Sequence, residues 1–191
     1  MTCLPLVAGC QSLTSPISTD TVTKTVAASI QIPANIERLA VVYPRTMNSE
    51  MTHAYSWLEG ATFQLKQVRP SLRIVDRLQQ TFILDEQRLQ ARSPVAEETA
   101  VHIGGLIGVD SILLFHIASP TTRDRMFAAL YGLQPEVAIT SKIIRVETGE
   151  VVFHNVVTIR VDKAEAVALL VRAALDQALA QTVADLRHAF R

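Results

Sequence analysis

Hydrophobic positions along the chain change period from segment to segment, and the changes predict an alternation of strands and helices. Residues 38–43 (RLAVVY) are a β-branched run closed by Pro44, the pattern of a first strand. Met51, Tyr55, Leu58, Thr62 and Leu65 recur at helical spacing and predict an amphipathic helix over 49–67, stopped before Pro70. Residues 71–76 return to an extended pattern, and Leu78, Phe82, Ile83 and Leu89 place a helix over 78–91. Ser93 and Pro94 open another helix. Serine caps it, proline suits its first turn, and Glu97 and Glu98 meet the positive end of the dipole. That helix ends near Gly108.

Residues 111–118 (SILLFHIA) are apolar on both faces, which marks a central strand. Two extended segments, 136–147 and 150–161, meet at Thr148 and Gly149, the chemistry of a tight hairpin. In the second arm Val151, Phe153, Val157, Ile159 and Val161 share a face, with Asn155 the exception. The last segment, 164–190, carries a long stripe that includes Val171, Leu175, Ala178, Leu186 and Phe190. The order is β-α-β-α-α-β-β-β-α. Crossover helices make the early strands parallel and the meander antiparallel, so the expected fold is α/β, a mixed sheet covered by helices in one domain over 38–191.

Residues 1–37 show no such period. Serine and threonine fill about half the positions over 12–29, and segment 11–37 reads as a solvated tether. Ahead of it stands Leu6-Val7-Ala8-Gly9-Cys10, the pattern of bacterial lipoprotein processing. Small Ala8 and Gly9 let the backbone enter a peptidase, and the Cys10 thiol would take the lipid. Residues 1–10 are therefore expected to be a partial leader ending at the acylated Cys10. Nine residues without a basic group, interrupted by Pro5, fall short of a secretory leader, so the true start is expected upstream. Gln11 is not the aspartate associated with inner-membrane retention, which points to an outer-membrane anchor on the periplasmic side. The most apolar internal stretch, 109–118, is too short to span a bilayer and contains Asp110.

Composition narrows the function. Apolar residues make up 49% of the chain, which excludes a chain unable to form a core. Eighteen basic residues balance eighteen acidic ones, so binding to nucleic acid through phosphate neutralisation is disfavoured. The two cysteines, Cys3 and Cys10, both precede the tether, and no disulfide or cysteine-based metal site can staple the domain. No cofactor is expected.

Catalytic patterns are weak. His53, His102, His116, His154 and His188 are scattered, although His116 and His154 both fall in strands. Asp85 and Glu86 diverge by about 100° on a helix and make a poor acid–base pair. The glycines at 104, 105 and 108 close a helix and lead into a strand, the wrong polarity for a phosphate loop. The sequence contains no Gly-x-Ser-x-Gly elbow. Arg69, Arg73, Arg77, Arg88 and Arg92 alternate with Asp76, Asp85 and Glu86, the pattern of surface pairing. Binding or assembly is the expected role, with no enzymatic activity.

Three stretches together resemble the CsgG family of periplasmic lipoproteins. Asp76-Arg77 with Glu86-Gln87 and Leu89 resembles the family's V-V-[DE]-R strand and following helix. Leu106, Gly108, Val109 and Asp110 resemble its L-x-G-[VA]-D entry to a central strand. Val146, Thr148, Gly149, Glu150 and Val151 resemble its V-x-T-G-E-[IV] hairpin. These residues read as structural: Asp76 as a helix cap, Arg77 and Glu86 as pairing groups, Gly149 as the turn's positive-φ position. Curli-type channels of the family add membrane-crossing hairpins of about 9 to 11 residues per strand, and residues 119–135 leave no room for one. The resemblance therefore implies an accessory lipoprotein such as the penicillin-binding-protein activator LpoB. Such a protein binds a periplasmic or outer-membrane partner in curli-type export or envelope assembly, and touches the membrane only through its lipid. An oligomeric channel subunit is the alternative reading, and a small-molecule or metal-binding domain using the strand histidines is a third.

Overall fold

The computed structural model describes residues 22–25, 31–44, 48–75, 97–160 and 167–191. In chain order they form β1 (Val22–Thr25), β2 (Arg38–Val42), α1 (Ser49–Phe63, running into a 3-10 turn Gln64–Gln67), β3 (Arg73–Val75) and α2 (Glu97–Ile107). Then follow β4 (Ser111–Ala118), α3 (Thr122–Tyr131), β5 (Glu136–Arg145), β6 (Val151–Arg160) and α4 (Val167–Ala189). The strands make one six-stranded sheet in the order β1-β6-β5-β4-β2-β3. β2 runs parallel to β3 and β4, while the β4–β5, β5–β6 and β1–β6 pairs are antiparallel. The expected mixed α/β sheet is the observed one. The helix expected over 78–91 lies outside the described residues.

The first half of β4 is buried from both sides. Leu113 and Phe115 face α1 and α4, in a core with Leu39, Val41, Tyr55, Leu58, Leu175 and Phe190. Ile112 faces the other way, with Ala40, Val42, Val109 and Ala100 of α2. A strand covered on both faces needs apolar residues at every position, which removes the period of two. β5 and β6 are covered by helix on one side and keep the alternation, with Val137, Ile139, Ile143, Val157 and Ile159 buried. Asn155, the polar exception, is buried too. Its amide donates to Asp185 Oδ2 of α4 at 2.9 Å, and Gln181 donates to the other oxygen at 2.8 Å.

Helix ends follow local chemistry. The Asn48 side chain accepts the backbone N–H groups of Glu50 at 2.9 Å and Met51 at 3.4 Å, which opens α1. α2 closes in a Schellman motif: Gly108 (φ 66°) donates to Gly105 O and Val109 donates to Gly104 O. Gly104 is a glycine for a different reason. A Cβ there would overlap Val146 Cγ2 and come within 2.9 Å of Ile112 Cδ1, so the missing side chain lets α2 approach the sheet.

The hairpin between β5 and β6 is wider than the sequence suggests. Val146 N–H leaves the ladder to donate to Asp110 O at 2.9 Å, and the turn closes through Gly149 N–H to Arg145 O at 2.9 Å. Gly149 takes φ 70°, as expected of it.

Two elements lie where the sequence shows no period. β1 falls within the segment read as tether and pairs Val22 to Thr25 with Ile159 to Val156. An edge strand binds through its backbone and needs no apolar alternation. Ile32 and Ile36, from the same segment, are in the core, and Arg69 holds the carbonyls of Ile32 and Pro33 at 2.9 Å each. α3 occupies the link between β4 and β5. Its signal is chemical: Thr121 and Asp124 form a capping box, and Gly132 (φ 63°) ends the helix. Donation from the Thr121 hydroxyl, and then from its backbone N–H, holds the Asp124 carboxyl below the usual carboxylate range.

Gly104→Ala is expected to lower stability by about 1–3 kcal/mol through overpacking. Gly60→Ala, with nothing within 4 Å of the added carbon, is expected to raise it by about 0.5–1 kcal/mol. Urea unfolding checks both signs. The Asp124 cap contributes fully above the ordinary carboxylate pKa and is lost as pH falls through the lower folded value. An NMR titration of the Asp124 amide reads this, and a midpoint at or above about pH 4 contradicts it.

Candidate functional site: a groove between two helices

α1 and α4 lie on the same side of the sheet, and their facing sides leave a groove of about 860 Å³. The stripe of α1 sends Tyr55 and Leu58 into the core, and Glu50, His53 and Trp57 on the neighbouring face flank the groove. Ala54, Leu175 and Leu179, all buried, make its floor. Trp57 stands on the rim, 47% exposed, with Glu50 and His53 beside it and Arg172 and Asp176 across on α4. Glu50 is also reached from α3 by Arg125 Nη2 at 3.6 Å. An apolar floor, a half-buried tryptophan and rim charges of both signs are the ingredients of a protein contact, in which the aromatic anchors and the charges set register. Trp57 lies off the apolar stripe of α1, and an aromatic at an off-stripe position is the sequence signal that marks it.

The residues singled out by the sequence gather elsewhere. Gly108, Asp110, Thr148 and Gly149 meet at the end of the sheet where β4 starts and β5 finishes. Asp110 is the tie. Its Oδ2 accepts the N–H groups of Glu37 and Arg38 at 2.8 Å each, its N–H donates to Arg38 O at 3.1 Å, and its carbonyl takes Val146 N–H. One residue thus joins β2, β4 and the hairpin. A hollow of about 260 Å³ beside it is lined by Asn35, Ser111, Arg145 and Glu147 among others. Among the described residues, Asp110 Oδ1, Ser111 Oγ and Arg145 Nε are buried there without hydrogen-bond partners. Thr148 Oγ1 accepts Glu150 N–H at 3.3 Å and steadies the turn. These residues hold the fold's corner. Cys10, Asp76, Arg77, Glu86 and Gln87 lie outside the described residues.

His116 is opposite Thr140 and His154 opposite Lys142, so the two histidines share a sheet face with β5 between them. Among the described residues no group of three or more His, Cys, Asp or Glu side chains converges on one point. Lys142 is engaged by Glu97 at the start of α2 at 2.6 Å. On the other side of the sheet, Tyr55 accepts Ile117 N–H at 2.9 Å, where β4 outruns β2. Burial pushes the Tyr55 hydroxyl above its ordinary pKa, with the Ile117 bond opposing in part. Among the described residues, no helix is long and apolar enough to cross a membrane.

Asp110→Ala is expected to cost about 1–2 kcal/mol, because it strips acceptors from two backbone N–H groups at a strand junction. Thr148→Ala, which loses one exposed bond, should change stability by less than about 0.5 kcal/mol. Equal effects in thermal unfolding would contradict the assignment of Asp110 as the tie.

No family model and no curated protein matches the chain. Solved structures similar to it include the LpoB C-terminal domain from Escherichia coli, 18% identical over 64% of this chain and 82% of that one, with a TM-score of 0.41. The PelC dodecamer from Paraburkholderia phytofirmans is 14% identical over 83% of this chain and 94% of that chain, with a TM-score of 0.38. Lipoprotein GNA1162 from Neisseria meningitidis is 11% identical over 74% and 95%, also with a TM-score of 0.38. These are likenesses of arrangement, at values that assign no partner.

Proposed function

We propose that this chain is a lipid-anchored periplasmic accessory protein of the CsgG-like kind. In this reading Cys10 carries the lipid and holds the protein at the outer membrane, and the folded domain binds a protein partner in secretion or envelope assembly. The role is one of binding, without catalysis. The observation that carries the reading is the α1–α4 groove with Trp57 on its rim, an apolar trough of about 860 Å³ framed by charges of both signs. A helix or extended segment of a partner fits such a trough by laying apolar anchors on Leu175 and Leu179. The Leu6–Cys10 pattern and the serine- and threonine-rich stretch after it support the anchor. The tie at Asp110 and the turn at Gly149 support the family resemblance, because residues of two of its three stretches meet in one corner.

In cells that export the chain, Cys10→Ser is expected to lower the share of the chain in the membrane fraction; an unchanged share defeats the anchor. A photo-crosslinker at exposed His53 should yield an adduct that Trp57→Ala reduces about tenfold, as for loss of an aromatic anchor. The same probe at Thr158, a β6 residue paired with Ala138 and β1, should yield none. An adduct indifferent to Trp57 removes the groove from the proposal.

A further inference from the structure

Large apolar side chains stand in solvent at one end of the sheet. Met126 and Leu130 are one turn apart on α3, and Tyr131 and Leu133 flank Gly132; the four are 54%, 68%, 69% and 57% exposed. Isolated apolar residues on a surface are ordinary, but three on α3 and a fourth just past its cap concentrate apolar surface at this end. The element is held rather than loose. Its capping box fixes one end and Gly132 the other, Arg125 Nε donates to Pro120 O at 3.1 Å, and Glu50 braces it from α1. Arg123 lies over the Phe127 ring at 5.4 Å and puts a cation at the border of the patch.

The strand register says which end of the molecule this is. Val22 is opposite Ile159 and Thr25 opposite Val156, so the chain enters β1 at the end where β6 finishes. Arg160 pairs there with Glu136, the start of β5, and Ala118, the end of β4, pairs with Ala138. α3 joins β4 to β5 at this same end. The chain preceding β1 therefore reaches the sheet beside α3, two strand spacings from β5, or about 10 Å. Residues 11–21 separate Cys10 from β1 and span at most about 40 Å when fully extended. A domain held by that end turns α3 toward its anchor and the Asp110 corner away from it.

From this placement we infer that α3 is a second membrane contact, seating Met126, Leu130, Tyr131 and Leu133 in the interface of a phospholipid bilayer. The orientation rests on the proposal that Cys10 is acylated; the affinity of the patch for lipid does not. Aliphatic side chains enter the acyl boundary, a tyrosine keeps its hydroxyl at headgroup level, and Arg123 reaches phosphate from the border. This contact adds to the single lipid attachment expected from the sequence.

The test uses the full chain with Cys10→Ser, so that no acyl group contributes, and vesicles of phosphatidylethanolamine and phosphatidylglycerol. The parent is expected to sediment with the vesicles. The double variant Leu130→Glu, Leu133→Glu is expected to lower the partition coefficient about tenfold or more, from two apolar side chains withdrawn from the interface. Its circular-dichroism melting curve should match the parent's, since both side chains are exposed. A parent that ignores vesicles overturns the inference, as does a variant that partitions equally. Light scattering in the absence of lipid that shows a parent dimer broken by the substitutions also overturns it, because the patch is then a contact between copies. Mass measurement of the N-terminal peptide from cells reads the acylation of Cys10 separately. An unmodified Cys10 removes the anchor and the orientation argued from it, whatever the vesicles show.

Discussion

The two-sided burial of β4 sets the terms for the rest of the molecule. Its backbone is shared between β2 and β5, and its side chains need cover above and below. β3 and β4 flank β2 and run parallel to it, so the chain from β3 to β4 must cross a face of the sheet, and α2 on that connection lies on the face opposite α1 and α4. The helix can sit close only because Gly104 lacks a Cβ, and it can stop in time only because Gly108 accepts a positive φ. Asp110 then turns the chain into β4 while gathering the start of β2 and the far hairpin. Residues of the kind usually searched for chemistry are thus consumed in making a corner.

With that corner committed to structure, the functional surface lies elsewhere. Asp110 Oδ1, Ser111 Oγ and Arg145 Nε are shut away from solvent, and the histidines of β4 and β6 are held apart by β5. What the fold leaves outside is apolar: Trp57 above the α1–α4 groove and the α3 side chains at the end of the sheet. Those two surfaces differ in kind. The groove is concave and charged along its rim, which suits a shaped partner; the α3 residues are largely exposed aliphatic side chains, which suit an apolar phase. Electrical neutrality of the whole chain fits both, since neither relies on attraction at long range.

Legibility in the sequence followed how strongly each segment is buried. β4, α1 and α4 were plain, because two covered faces leave an unbroken apolar run and a long stripe leaves a helical period. The hairpin was half legible. Gly149 announced a turn, but the pull of Asp110 on Val146 N–H, which widens it, joins residues far apart in the chain. β1 left no mark because its partner is the backbone of β6. α3 left none in hydropathy because its apolar residues face outward, and its caps at Thr121, Asp124 and Gly132 were the signal available. Asn155 looked like a flaw in a strand until Asp185, thirty residues later, supplied its acceptor.

The sequence by itself determined β2, α1, β3, α2, β4, the β5–β6 pair and α4 in their order, the helix stop at Gly108 and the turn at Gly149. These follow from steric and hydrogen-bonding demands that a residue meets among its near neighbours. Tertiary structure alone decided that α1 and α4 leave a groove, that Trp57 stands on its rim, and that the chain enters the sheet at the end bearing α3. Each of those depends on strand order and register, which fix neighbours across the sheet and leave no trace in local period.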